Sequence, residues 1–195
     1  MFAAACEQYG PLLAQVGFGG GARGMGVFVL PGIIATAKHV LQEPNVQIMS
    51  SDGFYQSEAV INVPGRDISL VRLGEMIRPI EHGCLPFHWP KIASEKPRIG
   101  ATLGYVTRLQ NSGVNAFQLH FACVHVSTIL IDEDEPRILL TGATVERGMS
   151  GSPVFDRDAQ LHGLIAQSAN GLPIMVPLFQ LAGPIAELAR RERTT

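Results

Sequence analysis

The feature that most constrains this chain is its punctuation. Its 195 residues include 21 glycines and 13 prolines, which cut the sequence into short apolar runs. Such runs suit short strands joined by tight turns rather than helices. Residues 46–50 and 58–63 alternate with a period of two, as half-buried strands do. Residues 25–30 and 33–37 flank Pro31-Gly32, a hairpin signal. Hydrophobic residues make up 46%, ample for a core, and charged residues only 16%, too few for a disordered chain. Helical spacing is confined to the ends. Residues 1–14 read as a short helix or a loose arm, since Ala and Leu favour helix but Gly10-Pro11 interrupts it. Residues 184–193 read as a closing helix. Ile185, Leu188 and Ala189 share one face, Glu187 can pair with Arg191, and Arg190, Arg191 and Arg193 sit at the negative end of the dipole.

Composition removes several classes of function. A net charge of −2 gives no electrostatic case for nucleic acid. No stretch approaches the apolar length that crosses a membrane. The three cysteines, Cys6, Cys84 and Cys123, are odd in number and far apart, which argues against a disulfide framework and for a reducing compartment. The start, Met1-Phe2-Ala3-Ala4-Ala5-Cys6-Glu7, lacks the basic beginning and apolar core of a signal peptide, so the expected location is the cytoplasm. Gly19-Gly20-Gly21-Ala22-Arg23-Gly24 reads as a turn and not a phosphate cradle, because no Gly-Lys-Ser/Thr and no helix follows. Asp132-Glu133-Asp134-Glu135 reads as a solvated loop.

The chemistry concentrates in Gly148-Met149-Ser150-Gly151-Ser152-Pro153, followed by Val154-Phe155. Gly148 permits backbone angles closed to other residues, so its N–H can face the same point as that of Ser150. Two such donors beside a hydroxyl make an oxyanion hole. A Gly/Ser turn between strands would look similar, so companion residues must decide. His39 closes Thr36-Ala37-Lys38-His39 at the end of an apolar run. Asp67 opens the alternating Asp67-Ile68-Ser69-Leu70-Val71. His, Asp and Ser thus occur in the order of one of the convergent triads.

Gly26-Val27-Phe28-Val29, Thr36-Ala37-Lys38-His39, Asp67-Ile68-Ser69-Leu70 and Gly148 to Pro153 resemble the successive motifs of trypsin-like serine proteases, nearest to their disulfide-free bacterial, HtrA-like branch. Gly163-Leu164-Ile165-Ala166-Gln167 resembles the strand lining the specificity pocket there. The resemblance implies an all-β fold of two six-stranded antiparallel β-barrels, chymotrypsin-like, with the active site between them and a short C-terminal helix. On that division residues 1–14 are an N-terminal arm, 15–90 the first barrel, 98–182 the second, and 183–195 a helix and tail, together one protease domain with no room for a PDZ-like module.

The same resemblance implies a serine endopeptidase. Ser150 would be the nucleophile, His39 the general base, Asp67 its orienting acid, and Gly148 and Ser150 the oxyanion donors. Thr144, Ala166, Gln167 and Ser168 would line a neutral substrate pocket. An endopeptidase implies a protein or peptide substrate, and full triad chemistry needs neither metal nor organic cofactor. Secreted zymogens of this family pair a new N-terminus with an aspartate before the serine; here Met149 stands there, so that switch is not expected. Its loop would then be ordered by substrate, by a regulatory partner protein, or by its own packing. Two other readings stay open. One is a peptide-binding module on a protease fold that does not cut; the other is an esterase, against which stands Ser152 in place of the second glycine of a Gly-x-Ser-x-Gly elbow. Cys123 and His125 lie two apart on one strand face and would make half a metal site, but no second pair at ligand spacing is visible.

Overall fold

The computed structural model describes residues 2–17, 24–41, 46–80, 89–110, 117–130, 136–169, 171–181 and 185. Six strands make a first barrel: β1 (Leu13–Val16), β2 (Gly24–Leu30), β3 (Ile33–Thr36), β4 (Gln47–Met49), β5 (Gly53–Asn62) and β6 (Ser69–Pro79). They close in the order β1-β2-β3-β6-β5-β4, every pair antiparallel. Closure removes the unpaired edges that would otherwise template aggregation. The Pro31-Gly32 turn joins β2 and β3 as its residues predict, with Gly32 at φ 66°.

The second barrel contains β8 (Thr102–Gln110), β9 (Phe117–Leu130), β10 (Arg137–Thr141), β11 (Pro153–Phe155), β12 (Gln160–Ala169) and β13 (Leu172–Pro177). Its order is β11-β8-β9-β10-β13-β12, closed by the β11–β12 pairing. The chain is therefore two six-stranded antiparallel barrels. A further short strand, β7 (Lys91–Ile92), runs parallel to β12 through Gln160↔Lys91 and Leu161↔Ile92. β6 continues past Leu73 to Pro79, paired back to Gly53 across three register shifts. Those bulges scramble the period-two signal along the segment.

Alternation along the second barrel's strands divides side chains between two cores. Val154, Ile165 and Met175 point into one, with Tyr105 and Met149. Their successors Phe155, Ala166 and Val176 point into the other, which continues into the first barrel through Val16, Val27 and Ile34. Strands β11, β12 and β13 thus serve their own barrel with one face and the contact between barrels with the other.

The N-terminal helix α1 (Ala3–Tyr9) is packed, not loose. Phe2 and Tyr9 join Phe121 and Phe155 in an aromatic cluster, with Tyr9 stacked on Phe155 at 4.5 Å between centroids. Tyr9 Oη donates to Ala159 O at 3.1 Å, and an Arg108 guanidinium nitrogen donates to Gly10 O at 3.2 Å. Burial, aided by the charge of Asp156, pushes the Tyr9 phenol above its ordinary pKa, so it stays a donor at any working pH. The expected C-terminal helix, the 132–135 loop and the 19–23 turn lie outside the described residues; Ile185 is described and is buried. No helix of the described residues is long and apolar enough to cross a membrane.

Tyr9→Phe removes one donor from Ala159 O while keeping the stack. Urea unfolding should show a loss of about 1 kcal/mol, against about 3–5 kcal/mol for Tyr9→Ala. Equal losses for the two variants would show that the stacked ring does not hold the segment.

Candidate active site

β3 ends at Thr36, and the chain turns into one 3-10 turn, Lys38–Val40, that presents His39. Asp67 fixes this turn from the segment just before β6. Its carbonyl accepts Lys38 N–H at 3.2 Å, and Oδ1 accepts the backbone N–H of His39 at 2.9 Å. Oδ2 lies 2.6 Å from His39 Nδ1. An ionised carboxylate can only accept, so Nδ1–H is the donor in this pair, and a neutral ring so held presents the lone pair of Nε2. The imidazole is 43% exposed and the carboxylate 23%, which leaves the ring open to a substrate while its partner is largely covered. One carboxylate thereby sets the turn, the ring's orientation and the ring's tautomer.

Ser150 lies in the loop between β10 and β11 and is half-buried. Its hydroxyl donates to Ala166 O at 3.2 Å. Among the described residues that carbonyl, and not His39, is the hydroxyl's partner. Ala166 sits in a bulge of β12, where pairing with β13 skips from Ile165 to Gln167. A bulge re-aims the backbone, and here it sends a carbonyl that would otherwise join the ladder toward the serine.

The serine loop is anchored on the first barrel. Ser150 O accepts Met25 N–H at 2.6 Å, and Met25 O accepts the buried Thr36 hydroxyl at 2.6 Å. Two glycines make this approach feasible. A Cβ on Gly24 would stand 2.6 Å from both Ser150 O and Val40 Cγ2. Gly24 is therefore wedged between the serine's own peptide and the residue that follows His39. A Cβ on Gly151 would stand 1.7 Å from Met25 O, and φ there is +89°. Arg66 adds a second tie beside Asp67, donating from Nη1 to Pro177 O at 3.0 Å. Gly24, Met25, Thr36 and Arg66 are supporting residues that motif reading missed. The available signal was a glycine bordering an apolar strand, where backbones can approach closely.

Around Ser150 the amides divide sharply. Met149 N–H bonds Glu146 O at 3.2 Å, Gly151 N–H bonds Ile165 O at 2.6 Å, and Ser152 N–H bonds Met149 O at 3.0 Å. The N–H groups of Gly148 and Ser150 have no partner among the described residues. Gly148 has φ +93°, the left-handed region anticipated for it. Of the expected pocket residues, Thr144 is exposed and its carbonyl accepts Tyr105 Oη at 3.0 Å, while Ala166 is buried. The backbones of Gln167 and Ser168 belong to β12, and their side chains lie outside the described residues. Away from the cleft, Cys123 is exposed and free, and His125 Nδ1 sits 3.2 Å from Thr102 Oγ1.

A family model described as "Trypsin-like peptidase domain" matches residues 24–164, from the wedged Gly24 to past the serine loop. The chain belongs to the trypsin-like peptidase family. As a member of that family it is a serine endopeptidase, a hydrolase whose substrates are proteins or peptides. No curated protein matches the sequence. Solved structures with this peptidase's fold include neuropsin, a serine protease of mouse brain, at TM-score 0.73 and 18% identity, covering 95% of this chain and 96% of that one. Kallikrein-related peptidase 10 is similar at TM-score 0.71 and 14% identity, covering 97% and 99% of the two chains. The inactive form of a serine-to-alanine mutant of Rv3671c from M. tuberculosis is similar at TM-score 0.68 and 17% identity, over 97% and 90%.

The anchoring of the peptidase's serine loop can be tested with two glycines of like backbone. Gly171 has φ +82° with nothing within 4 Å of an added Cβ, so Gly171→Ala isolates the strain of the left-handed region, about 1 kcal/mol. Gly151→Ala adds the collision with Met25 O and should cost several kcal/mol. Thermal unfolding and peptidase assays should separate them, with activity lost only in Gly151→Ala. Equal effects would mean that the close approach at Met25 does not hold the loop.

Proposed function

We propose that this peptidase cleaves peptide bonds through a Ser150–His39–Asp67 triad and an acyl-enzyme intermediate. The observation that carries the reading is the 2.6 Å pair of Asp67 and His39, set on a turn whose Val40 touches the same glycine as the Ser150 peptide. In the reaction Ser150 Oγ attacks the substrate carbonyl carbon and its proton passes to His39 Nε2. That step requires the hydroxyl proton to leave Ala166 O and turn to Nε2. Asp67 stabilises the imidazolium that forms. The oxyanion is received by the amides of Gly148 and Ser150, each such donor contributing about a hundredfold or more to kcat. His39 then protonates the departing amine, and a water activated by the same imidazole hydrolyses the acyl-enzyme.

For specificity we propose a neutral pocket formed by Thr144, Ala166, Gln167 and Ser168, taking small or medium uncharged side chains before the cut. None of these residues is acidic, so arginine and lysine find no counter-charge. The cytoplasm is the proposed location, supported by the free thiol of Cys123. One observation favours a second reading, a peptide-binding module that does not cut: the Ser150 hydroxyl bonds Ala166 and not His39.

A fluorophosphonate probe distinguishes the two. It should label Ser150 in the wild type and leave Ser150→Ala unlabelled. Ser150→Ala, His39→Ala and Asp67→Asn should each lower kcat by about four to six orders of magnitude, far from additively when combined. A peptide library should show cleavage after uncharged residues. Absence of label on folded wild type favours the non-cleaving module, and a library profile dominated by Arg or Lys overturns the pocket assignment.

A further inference from the structure

Met149 is held at three points. Its N–H donates to Glu146 O at 3.2 Å and its carbonyl accepts Ser152 N–H at 3.0 Å. Its thioether sulfur accepts the backbone N–H of Glu146 at 3.2 Å. The side chain is 2% exposed and sits in the second barrel's core with Tyr105, Val154, Ile165 and Met175. Glu146 itself is exposed. Residues 146 and 149 therefore grip each other twice, once through backbone and once through sulfur. The sulfur contact reaches out of an apolar core to an amide of a surface loop. Leucine or isoleucine could supply the same burial, but neither offers an acceptor. A thioether is a weak acceptor, and its long polarisable side chain fills irregular space, so methionine meets both demands.

The consequence falls on the two neighbours. With Met149 locked, the peptides on either side of it have little freedom to turn. The Gly148 and Ser150 amides then remain directed away from the loop's internal bonds, where they have no partner among the described residues. We propose that Met149 is a positioning residue for peptide hydrolysis: its sulfur, by accepting Glu146 N–H, fixes the 146–149 turn and with it the two amides that receive the oxyanion. The loop is ordered from inside, by a buried side chain of the loop itself. This inference rests on the proposed oxyanion role of Gly148 and Ser150, and the experiment separates the two.

Met149→Leu keeps the apolar volume and removes the acceptor, while Met149→Gln keeps an acceptor at the end of an unbranched side chain. The Leu variant should stay folded, with kcat reduced about tenfold and KM within about twofold, because oxyanion donors act on the transition state more than on bound substrate. The Gln variant should recover kcat to within about threefold of wild type, although burying its amide gives it the lower Tm. Activity would then follow the acceptor and stability would follow apolarity, a crossing that a purely structural role does not produce. Full kcat in Met149→Leu, or a rank order of kcat that copies the rank order of Tm, overturns the proposal. So does failure of Met149→Leu to fold, since its packing is meant to be preserved. Amide hydrogen exchange on the wild type reads the contact without any turnover. Glu146 N–H should be protected despite the exposure of its residue, and free exchange there rules the contact out. Should the wild type leave substrates uncut while Glu146 N–H is protected, the oxyanion reading fails and the sulfur-held turn stands.

Discussion

The carbonyl oxygen of Ser150 accepts the amide of Met25 at 2.6 Å, and the cleft depends on that bond. It joins a loop of the second barrel to the first strand residues after the 19–23 segment, a tie between parts of the chain far apart in sequence. Short bonds of this kind need backbone against backbone, and side chains at either contact would prevent it. Gly24 and Gly151 remove them. The bond also fixes where the serine can be. With Ser150 O on Met25 and Gly24 against Val40, the serine's peptide and the His39 turn share one wedge. Asp67 then completes the arrangement from the first barrel alone, through one carbonyl and two carboxylate oxygens.

Such an arrangement needs barrels that do not shift against one another. The alternating strands supply most of the restraint, because Phe155, Ala166 and Val176 share a core with Val16, Val27 and Ile34. A fully buried side chain such as Phe155 contributes about 2–3 kcal/mol. Helix α1 covers that core from outside by stacking Tyr9 on Phe155, the last residue of the strand that leaves the serine loop. Arg66 reaches Pro177 from the position next to Asp67. Stability and chemistry are therefore drawn from the same strands.

Much of this was legible in the sequence, and the reasons are local. The strands of the first hairpin, the turn at Pro31-Gly32 and the left-handed Gly148 follow from residue types whose preferences act over a few positions. The His39 and Asp67 pairing was legible only as an order of motifs, since nothing local brings residue 67 to residue 39. What escaped reading depends on long-range contact or on broken periodicity. The continuation of β6 to Pro79 was hidden by bulges opposite β5, and two-residue β7 is too short to carry a pattern. Gly24 read as the end of a flexible turn because its constraint is Ser150, far along the chain. Ala166 reads from sequence as part of a pocket wall, but its carbonyl's bond to the Ser150 hydroxyl comes from a bulge that one strand's sequence does not announce. The sulfur contact of Met149 had no sequence signal beyond the absence of a charge at that position.

The central claim is that one cleft assembled from two barrels brings the Ser150 hydroxyl, the His39–Asp67 pair and two open amides onto a single reacting carbon. A crystal structure of the peptidase with a peptide boronic acid tests it directly. The account predicts a tetrahedral boron bonded to Ser150 Oγ, one boronate oxygen within hydrogen-bond reach of both Gly148 N and Ser150 N, and His39 Nε2 facing the adduct with the Asp67 contact intact. An adduct whose oxygen lies away from both amides, or a Ser150 hydroxyl that remains on Ala166 with the boronic acid bound elsewhere, would contradict it.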